Sequence, residues 1–389
     1  MKLCIVTHKI LRGDGQGRAN YEVILAALRR GHHVTLVASA IASDLEQHPQ
    51  VNWVALPLRR LPTQLLKDVD FAYRSAAWLN THRADFDLVL VNGAVTWAAG
   101  DVNVVHFVHS AWFQSPVHPA RSQLRPHSLY HWLYTRLNAH WETAAFRQAT
   151  TVIAVSERVK QELIDLGISP NQIRVILNGV DLQEFYPPGN HSPDPVNSLR
   201  HQLGLPDPAP LALFVGDIRL NRKNLDTVLH ALTQVPDLHL AVVGTVTGSP
   251  YPRLTEMLNL TERVHFLGYR QDVAALMRSA DLFVFPSRYE PFGMVVLEAM
   301  ASGLPVITAK TAGAAEVITP ECGMVLANPE DANALAQCLS KLVADAGLRR
   351  HMGQTGRAIA EHHHWTQKAA DYINLFEEVS NLHSLAHQT

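Results

Sequence analysis

The stretch of residues 281–303, DLFVFPSRYEPFGMVVLEAMASG, constrains the fold more than any other part of the chain. Its apolar run 282–285 is short and aromatic enough to be a buried strand, and Pro286 ends that strand. Apolar residues then recur at helical spacing from Met294, and Gly303 is a typical helix stop. The stretch therefore predicts the strand, loop and helix unit from which open α/β sheets are built.

Two carboxylates bracket the start of the predicted helix, since Glu290 stands in the preceding loop and Glu298 lies about two turns along the helix. Ligands of open α/β sheets bind at the carboxyl ends of strands, where a helix start offers unpaired N–H groups to an anion. Gly293 leaves room there for a phosphate. Because carboxylates repel phosphate but accept hydrogen bonds from hydroxyl groups, both glutamates suit sugar groups at the two ends of a pyrophosphate. The alternative is that they complement the helix dipole and face solvent.

The chain has 389 residues, too many for one ordinary core, so two domains are expected. A hydrophobic content of 47% with 17% charged residues indicates a globular protein, and the net charge of −2 argues against nucleic acid as a partner. The N-terminus lacks the pattern of a signal peptide, and no run approaches the roughly 18 apolar residues of a membrane span. Three cysteines without a C-x-x-C pair fit a reducing compartment, so a cytoplasmic protein is expected.

The N-terminal part of the chain follows the same plan as the stretch at 281–303. A strand over 3–7, a loop to Arg18, a helix over 19–30 and a strand over 34–38 form one α/β unit. Glycines in the loop would let a ligand approach the backbone, although a tight turn explains them equally well. The loop does not fit G-x-G-x-x-G and no acidic residue follows the second strand, which disfavours a dinucleotide dehydrogenase.

The plan restarts in the second half of the chain. Residues 187–210 are rich in proline and polar residues and form the best linker candidate. Strand, helix and strand patterns then follow over 211–215, 225–232 and 238–243. The two halves therefore predict two Rossmann-type domains.

A cationic loop separates the first strand and helix of the second half. Gly216 turns the chain, and Arg219, Arg222 and Lys223 stand beside the helix start. Arginine can bind a pyrophosphate in a fork and lysine supplies a point charge, so this loop is predicted to hold an anion. Salt bridging at the surface is the alternative.

Residues 101–109, DVNVVHFVH, are predicted to form a strand of the first domain, after helical patterns over 45–85 and a strand over 88–91. The alternation places His106 and Phe107 on opposite faces and His109 at the end of the strand, where a side chain can enter a ligand site. A lone histidine is more often structural.

Residues 116–148 mix arginines with aromatic residues and contain a single acid, Glu142. The arginines are Arg121, Arg125, Arg136 and Arg147, and the aromatic residues include Tyr130, Trp132, Tyr134 and Trp141. A basic helix with interfacial aromatic residues can lie on an anionic bilayer. More often such a face packs on its own domain, and binding of an acceptor is a further alternative.

Taken in order, these segments resemble family 4 retaining glycosyltransferases of the GT-B fold, also called glycosyl transferases group 1. Glu290 and Glu298 match the E-x7-E signature of that family, and Arg222 and Lys223 match its phosphate-binding loop. Further matches are V-S at 155–156, N-G-V-D at 178–181 and the segment at 264–278. One position departs from the pattern, because Asn224 stands where the family usually has glycine.

The resemblance implies an α/β fold of GT-B type, with two Rossmann-like domains facing each other across a cleft. Residues 1–186 would form the acceptor-side domain, and a C-terminal helix at about 366–389 would cross back to it. Residues 187–365 would bind the nucleotide sugar.

What the resemblance implies for function is retaining, metal-independent transfer of a hexosyl unit to an acceptor hydroxyl. The donor would be a nucleotide-diphosphate sugar such as a UDP- or GDP-hexose, with no cofactor. The acceptor would be a carbohydrate or a lipid-linked molecule used in glycan, glycolipid or cell-surface polysaccharide synthesis. Peripheral contact with the inner face of the membrane would run through residues 116–148.

The predicted site residues fall into three groups. The catalytic group is His109, Glu290, Arg222 and Lys223. The donor-binding group is Gly216, Arg219, Arg222, Lys223, Tyr269, Arg270, Glu290, Phe292, Gly293, Met294, Val295 and Glu298. The acceptor-side group is Gly15, Gln16, Gly17, Arg18, His106 and Trp112. No metal ligand is predicted, because the adjacent histidines at 362–364 cannot all face one ion.

Two other functions fit the same sequence. A nucleotide-sugar epimerase of this fold would turn over the donor without any acceptor. A nucleotide-sugar-binding protein without catalytic activity would leave the donor intact. The base, the sugar and the acceptor stay open, because the shape of the pocket decides them.

Overall fold

The computed structural model describes residues 1–13, 15–121, 126–189, 195–205 and 209–386. The chain divides into two compact units, Met1–Asn178 with Trp365–Thr389, and Gly179–His364. Each unit is built around a parallel sheet with helices, which confirms the predicted two-domain α/β class. The linker candidate 187–210 lies within the second unit and includes residues 190–194 and 206–208, which are outside the described part of the chain.

Within its described residues, the first unit contains nine strands and six α-helices before the chain enters the second unit. The strands are β1 (Lys2–Val6), β2 (Lys9–Ile10), β3 (His33–Ala38), β4 (Ala40–Ile41), β5 (Val51–Ala55), β6 (Leu88–Asn92), β7 (Val102–Val105), β8 (Thr151–Ala154) and β9 (Ile173–Val175). The helices are α1 (Gly15–Arg29), α2 (Ser43–Glu46), α3 (Gln64–His82), α4 (His109–Gln114), α5 (Pro126–Gln148) and α6 (Glu157–Asp165). The main sheet has the order β5-β3-β1-β6-β7-β8-β9, and β2 pairs with β4.

The prediction of helix throughout 45–85 is wrong for β5. This strand pairs with β3 along its whole length, with Val51 opposite Val34. It lies at the edge of the sheet and is only partly buried, so it lacks the continuous apolar run that marks the inner strands. On the inner strands β1 and β6, by contrast, Cys4 and Val89 pack in one buried cluster with Phe71 of α3.

Two boundaries near predicted site residues also differ from expectation. The strand expected over 101–109 ends at Val105, where its partner β8 ends, and His109 is the first residue of α4. Helix α1 begins at Gly15, so the predicted loop residues 15–18 lie in its first turn. The amide side chains of Gln16 and Asn20 hydrogen-bond to Thr7 Oγ1 at 3.4 and 3.5 Å, which ties this early start to the end of β1.

The second unit begins with short segments and then winds around a six-stranded sheet. Its strands are β10 (Leu211–Val215), β11 (His239–Val243), β12 (Val264–Gly268), β13 (Leu282–Phe285), β14 (Val306–Ala309) and β15 (Gly323–Leu326). Its helices are α7 (Pro195–Gln202), α8 (Leu225–Leu232), α9 (Tyr251–Met257), α10 (Val273–Ser279), α11 (Met294–Ala301), α12 (Ala332–Ala344) and α13 (Ala346–Glu361). The strand order is β12-β11-β10-β13-β14-β15.

The last helix, α14 (Trp365–Ala386), belongs to the first unit. Its residues Tyr372 and Phe376 are buried, and Glu377 pairs with Arg30 at 3.1 Å and with His32 at 3.2 Å. These contacts fix α14 against α1 and the start of β3. Within the described residues, no helix is long and apolar enough to cross a membrane.

Candidate functional site

The strand order of the second unit identifies one edge of its sheet as the natural ligand site. The chain winds from β10 outward to β12 on one side, and from β13 outward to β15 on the other. Ligands of open α/β sheets bind at the carboxyl ends of strands where the winding direction reverses. The two loops at this point are 216–224 after β10 and 286–293 after β13, and both carry predicted donor-binding residues.

Lys223, Arg222 and Glu290 form one charged cluster at this edge. The Lys223 ammonium contacts Glu290 Oε2, and Arg222 Nη1 lies 3.4 Å from the same oxygen. Arg222 also donates to the Tyr289 carbonyl at 3.0 Å, and Lys223 Nζ lies 4.9 Å from the centre of the Phe285 ring. The side chains of Lys223 and Glu290 are 14% and 13% exposed and that of Arg222 is 25% exposed, so the cluster is partly shielded from solvent.

Two cations against one carboxylate leave an excess of positive charge in this cluster. Burial lowers the pKa of Lys223, and the Glu290 carboxylate opposes that shift. Positive groups fixed in a shielded site attract an anion more strongly than they would in water. An anion that binds Lys223 would compete with the Glu290 carboxylate for its three N–H donors.

Asn224 stands where the family usually has glycine, and it keeps the conformation of the loop. Its φ of +66° is in the left-handed region, which asparagine tolerates better than most residues. The buried side chain donates to the carbonyls of Pro286 and Pro329 at 2.9 and 2.6 Å and accepts from Thr227 Oγ1 at 2.6 Å. A glycine could not make these bonds, so Asn224 adds a tie between the two loops.

Arg288 is a second tie between the same loops. Its guanidinium donates to both carboxylate oxygens of Asp226 at 2.8 and 2.7 Å and to Glu330 Oε2 at 2.7 Å. It also donates to the Asn221 carbonyl at 2.7 Å, and its side chain is only 7% exposed. Because its donors bind protein acceptors, Arg288 holds the cationic loop in place and is not a candidate phosphate ligand.

Gly293 sets the geometry at the start of α11. Its φ is +96°, and a Cβ atom there would lie 3.1 Å from Glu290 Cγ and 3.5 Å from Phe285 Cε1. A side chain would therefore press on the carboxylate of the charged cluster. The first N–H groups of an α-helix have no acceptor within the helix, so those of α11 can receive an anion. The preceding Phe292 is buried, and its carbonyl accepts from the Ala314 N–H at 2.7 Å.

Arg219 does not join the charged cluster. Its guanidinium pairs with Asp217 at 2.7 Å on a solvent-exposed part of the loop, and hydrogen bonds from Arg219 lower the pKa of Asp217. Gly216 lies under the cluster instead, because a Cβ atom at this position would lie 3.2 Å from Lys223 Cγ. Of the three predicted cations, the structure thus brings two together with Glu290.

The remaining donor-side residues lie on neighbouring segments of the same unit. Tyr269 follows β12 with 67% of its surface exposed, and Arg270 pairs with the nearby Asp272 at 2.7 Å. The half-buried residues of α11 that belong to the predicted site are Met294, Val295 and Glu298.

His109, in the first unit, is held by a buried carboxylate. Its Nδ1 lies 2.7 Å from Glu142 Oε2, and Glu142 Oε1 accepts the Ser110 N–H at 3.2 Å. The Glu142 side chain is 3% exposed and the His109 side chain 24%. The Tyr134 ring stands edge-on to the imidazole, with 6.1 Å between ring centres. Both Glu142 and Tyr134 come from α5.

Two predicted acceptor-side residues are at least partly buried. The His106 Nε2 atom is buried without a hydrogen-bond partner in the described part of the chain, and burial lowers the pKa of His106 to about 4. Trp112 is 8% exposed and packs edge-on against His118. Trp112 therefore presents little surface to an acceptor, whereas His106 is partly exposed and buries its Nε2 atom.

The other acceptor-side residues occupy the first turn of α1. They are Gly15, Gln16, Gly17 and Arg18. Arg18 pairs with Glu22, one turn along the same helix, at 2.8 Å. These residues stay a predicted acceptor-binding segment, now on a helix start.

Sequence reasoning missed the roles of three residues. Arg288 lies in the polar turn before Glu290, but nothing in that turn indicates which carboxylates it binds. The two bonds that the Asn224 side chain donates depend on residues more than 60 positions away. Glu142 did carry a signal, because it is the single acid among the arginines and aromatic residues of 116–148. In the described ranges, no group of three or more His, Cys, Asp or Glu side chains is arranged to hold a metal ion.

Comparison with known proteins agrees with the class that the fold and the charged cluster indicate, the GT-B glycosyltransferases. The family described as Glycosyl transferases group 1 matches residues 196–359, and the Glycosyltransferase Family 4 description matches residues 13–184. A D-inositol 3-phosphate glycosyltransferase of Mycobacterium sp. (strain KMS) is 30% identical over 90% of this chain and 82% of its own. The lipopolysaccharide glucosyltransferase WaaG of Escherichia coli K12 is 26% identical over 96% of this chain and 98% of its own.

Solved structures share the fold along nearly the whole chain. A crystal structure of WaaG superposes with a TM-score of 0.76 at 25% identity, covering 95% of this chain and 99% of WaaG. Anabaena HepE in complex with UDP and glucose gives 0.74 at 22% identity, covering 97% and 100%. The chain therefore belongs to the family 4, or group 1, glycosyltransferases, and it is a glycosyltransferase. The resemblance drawn from the E-x7-E segment and the cationic loop is confirmed.

Proposed function

We propose that this enzyme moves a hexosyl unit from a nucleotide-diphosphate sugar to an acceptor hydroxyl and retains the anomeric configuration. The observation that carries the proposal is the charged cluster of Lys223, Arg222 and Glu290 beside the start of α11. A leaving diphosphate needs fixed positive charge and free N–H donors, and this edge of the sheet combines both. The UDP and glucose bound by the Anabaena protein support this choice of donor.

The proposed chemistry breaks the bond between the anomeric carbon and the diphosphate oxygen. Negative charge grows on the leaving phosphate, where Lys223, Arg222 and the N–H groups of residues 292–295 stabilise it. The acceptor hydroxyl attacks the same face of the sugar, and the leaving phosphate oxygen takes its proton. Glu290, released from Lys223 by the phosphate, holds sugar hydroxyls, while Glu298 holds the ribose.

The rest of the proposal concerns the partners of this reaction. His109 contacts the transferred sugar, and the acceptor is a carbohydrate or a lipid-linked molecule of glycan or cell-surface polysaccharide synthesis. The names of the mycobacterial and E. coli relatives support a hydroxyl-rich acceptor. We further propose a cytoplasmic enzyme in which Lys223 and Arg222 supply the charge compensation, so that neither a metal nor a cofactor is needed.

The direct test is to incubate the protein with a panel of UDP- and GDP-hexoses, with and without mixtures of carbohydrate acceptors. We expect donor consumption only when an acceptor is present, a product whose anomeric proton signal in NMR has the configuration of the donor, and an unchanged rate in EDTA. Consumption without an acceptor would indicate an epimerase. An intact donor in every mixture would indicate a binding protein, an inverted product would contradict retention, and loss of activity in EDTA would contradict metal independence.

We also propose that α5 contacts the surface of an anionic membrane. Leu129, Trp132 and Leu133 are 67%, 40% and 43% exposed on successive turns of this helix. The guanidinium of Arg136 lies 5.5 Å from the centre of the Trp132 ring and continues the same stripe. Apolar residues flanked by an arginine match the interface of an anionic bilayer. Arg125, which the sequence places in the same basic region, is outside the described residues.

Removal of this stripe is expected to reduce binding to vesicles. The double variant Trp132→Ser with Leu133→Ser should lower the fraction that co-sediments with phosphatidylglycerol vesicles several-fold, because it removes the exposed apolar surface of α5. Tyr73→Ser is a matched control, since Tyr73 is 65% exposed on α3 of the same unit. Equal binding of all three proteins would show that the stripe does not contact the membrane.

A further inference from the structure

Glu142 makes two separate contacts with the segment that carries His109. Its Oε2 atom lies 2.7 Å from His109 Nδ1, and its Oε1 atom accepts the Ser110 N–H at 3.2 Å. The carboxylate is almost completely buried, whereas a quarter of the His109 side chain is exposed. A buried carboxylate is stable only when its oxygens accept hydrogen bonds, and these two donors satisfy one oxygen each.

The contact with Nδ1 determines which nitrogen of His109 is presented to a ligand. A carboxylate only accepts hydrogen bonds, so His109 must carry a proton on Nδ1. In the neutral imidazole, Nε2 is then the hydrogen-bond acceptor. The edge-on ring of Tyr134 restricts rotation of the imidazole, so the direction of Nε2 is fixed as well as its protonation.

We infer that Glu142 is a positioning residue for His109, which it holds in the tautomer that presents an unprotonated Nε2 to the hydroxyls of the transferred sugar. The inference rests on the proposed function, because it gives His109 its sugar. Helix α5 thus contributes to the site through a side chain that touches neither donor nor acceptor. The exposed stripe of the same helix plays no part in this role.

Glu142→Gln separates this role from a purely structural one. The glutamine carbonyl oxygen can still accept the Ser110 N–H, so the start of α4 keeps its partner. The amide NH₂ group then faces His109 Nδ1 and can only donate to it, which reverses the tautomer. A residue that merely fills space or caps α4 would tolerate this change.

Two measurements on the protein test the inference. Nitrogen-15 NMR of the imidazole should show the Nδ1-protonated tautomer of His109 in the wild type and the opposite tautomer in Glu142→Gln. The value of kcat/KM for transfer should fall by about 10- to 100-fold, the range known for carboxylates that orient metal-binding histidines. In a His109→Ala background, Glu142→Gln should cause no further loss, because the residue acts only through His109.

The matched control is Glu377→Gln, which changes another carboxylate of the first unit that pairs with a histidine. Glu377 lies 3.2 Å from His32 Nε2, on α14 and away from α4 and α5. It should leave kcat/KM unchanged. An unaltered His109 tautomer in Glu142→Gln, or losses that multiply in the double variant, would overturn the inference. If the wild type transfers no sugar from any donor, the proposed function fails instead, and the tautomer measurement alone decides the role of Glu142.

Discussion

Replacement of Lys223 by alanine is expected to abolish the thermal stabilisation that the best nucleotide-sugar donor gives, and to lower kcat/KM by about 100-fold or more. The substitution removes one of two cations, so Glu290 would neutralise the remaining Arg222 and the excess positive charge would vanish. The diphosphate would then meet a neutral cluster. Differential scanning fluorimetry with and without donor measures the first effect, and a transfer assay measures the second.

The control for this variant is Lys341→Ala. Lys341 is an exposed lysine of α12 in the same unit, so its removal changes the net charge of the protein by the same amount. It should leave both the donor-induced shift and the activity unchanged. A full donor shift in Lys223→Ala, or an equal loss in Lys341→Ala, would mean that the charged cluster does not bind the diphosphate.

Gly293→Ala is expected to cause the second large loss. Alanine at φ +96° is strained by about 1–2 kcal/mol in the free energy of unfolding. Its Cβ atom would also lie 3.1 Å from Glu290 Cγ, so the carboxylate and the start of α11 must shift. Because a small misplacement of positioning groups is costly in catalysis, kcat/KM should fall by about 100-fold. Urea denaturation measures the stability, and the transfer assay measures the activity.

Gly248→Ala is the control that separates backbone strain from displacement of Glu290. Gly248 has a φ of +81° and open space where a Cβ atom would stand, so alanine there is strained in the backbone without pressing on a neighbour. Both variants should lose stability, Gly293→Ala somewhat more because of its added contact with Glu290, whereas only Gly293→Ala should lose activity. Normal activity in Gly293→Ala would show that the position of Glu290 is not critical for the reaction.

The second unit was predicted well from sequence because its inner strands are continuous apolar runs. The bounds expected for β10, α8 and β13 agree with the structure, since the two strands are fully buried and the apolar residues of α8 are buried too. The edge strand β5 was missed because partial exposure removes that signal. The end of β7 was placed too late because His106 and Val108 continue its pattern beyond the last pair with β8.

The site was predicted in its residue types but not in its contacts. Lys223 and Glu290 are 67 positions apart, and no local sequence pattern indicates that the carboxylate contacts the ammonium. Arg219 stands in the same basic loop as Arg222, but it pairs with the nearby Asp217 and stays outside the charged cluster. Side-chain partners depend on which loops the sheet brings together, and the strand order of the second unit decides that.

The central claim is that the cationic cluster and the start of α11 bind the diphosphate of a sugar donor. A crystal structure of the protein with an intact or hydrolysis-resistant nucleotide sugar tests it most directly. We expect phosphate oxygens within hydrogen-bond distance of Lys223 Nζ and of N–H groups in residues 292–295, with the Glu290 carboxylate moved from the ammonium to the sugar. Phosphates bound elsewhere, with Lys223 and Glu290 still in contact, would contradict the claim.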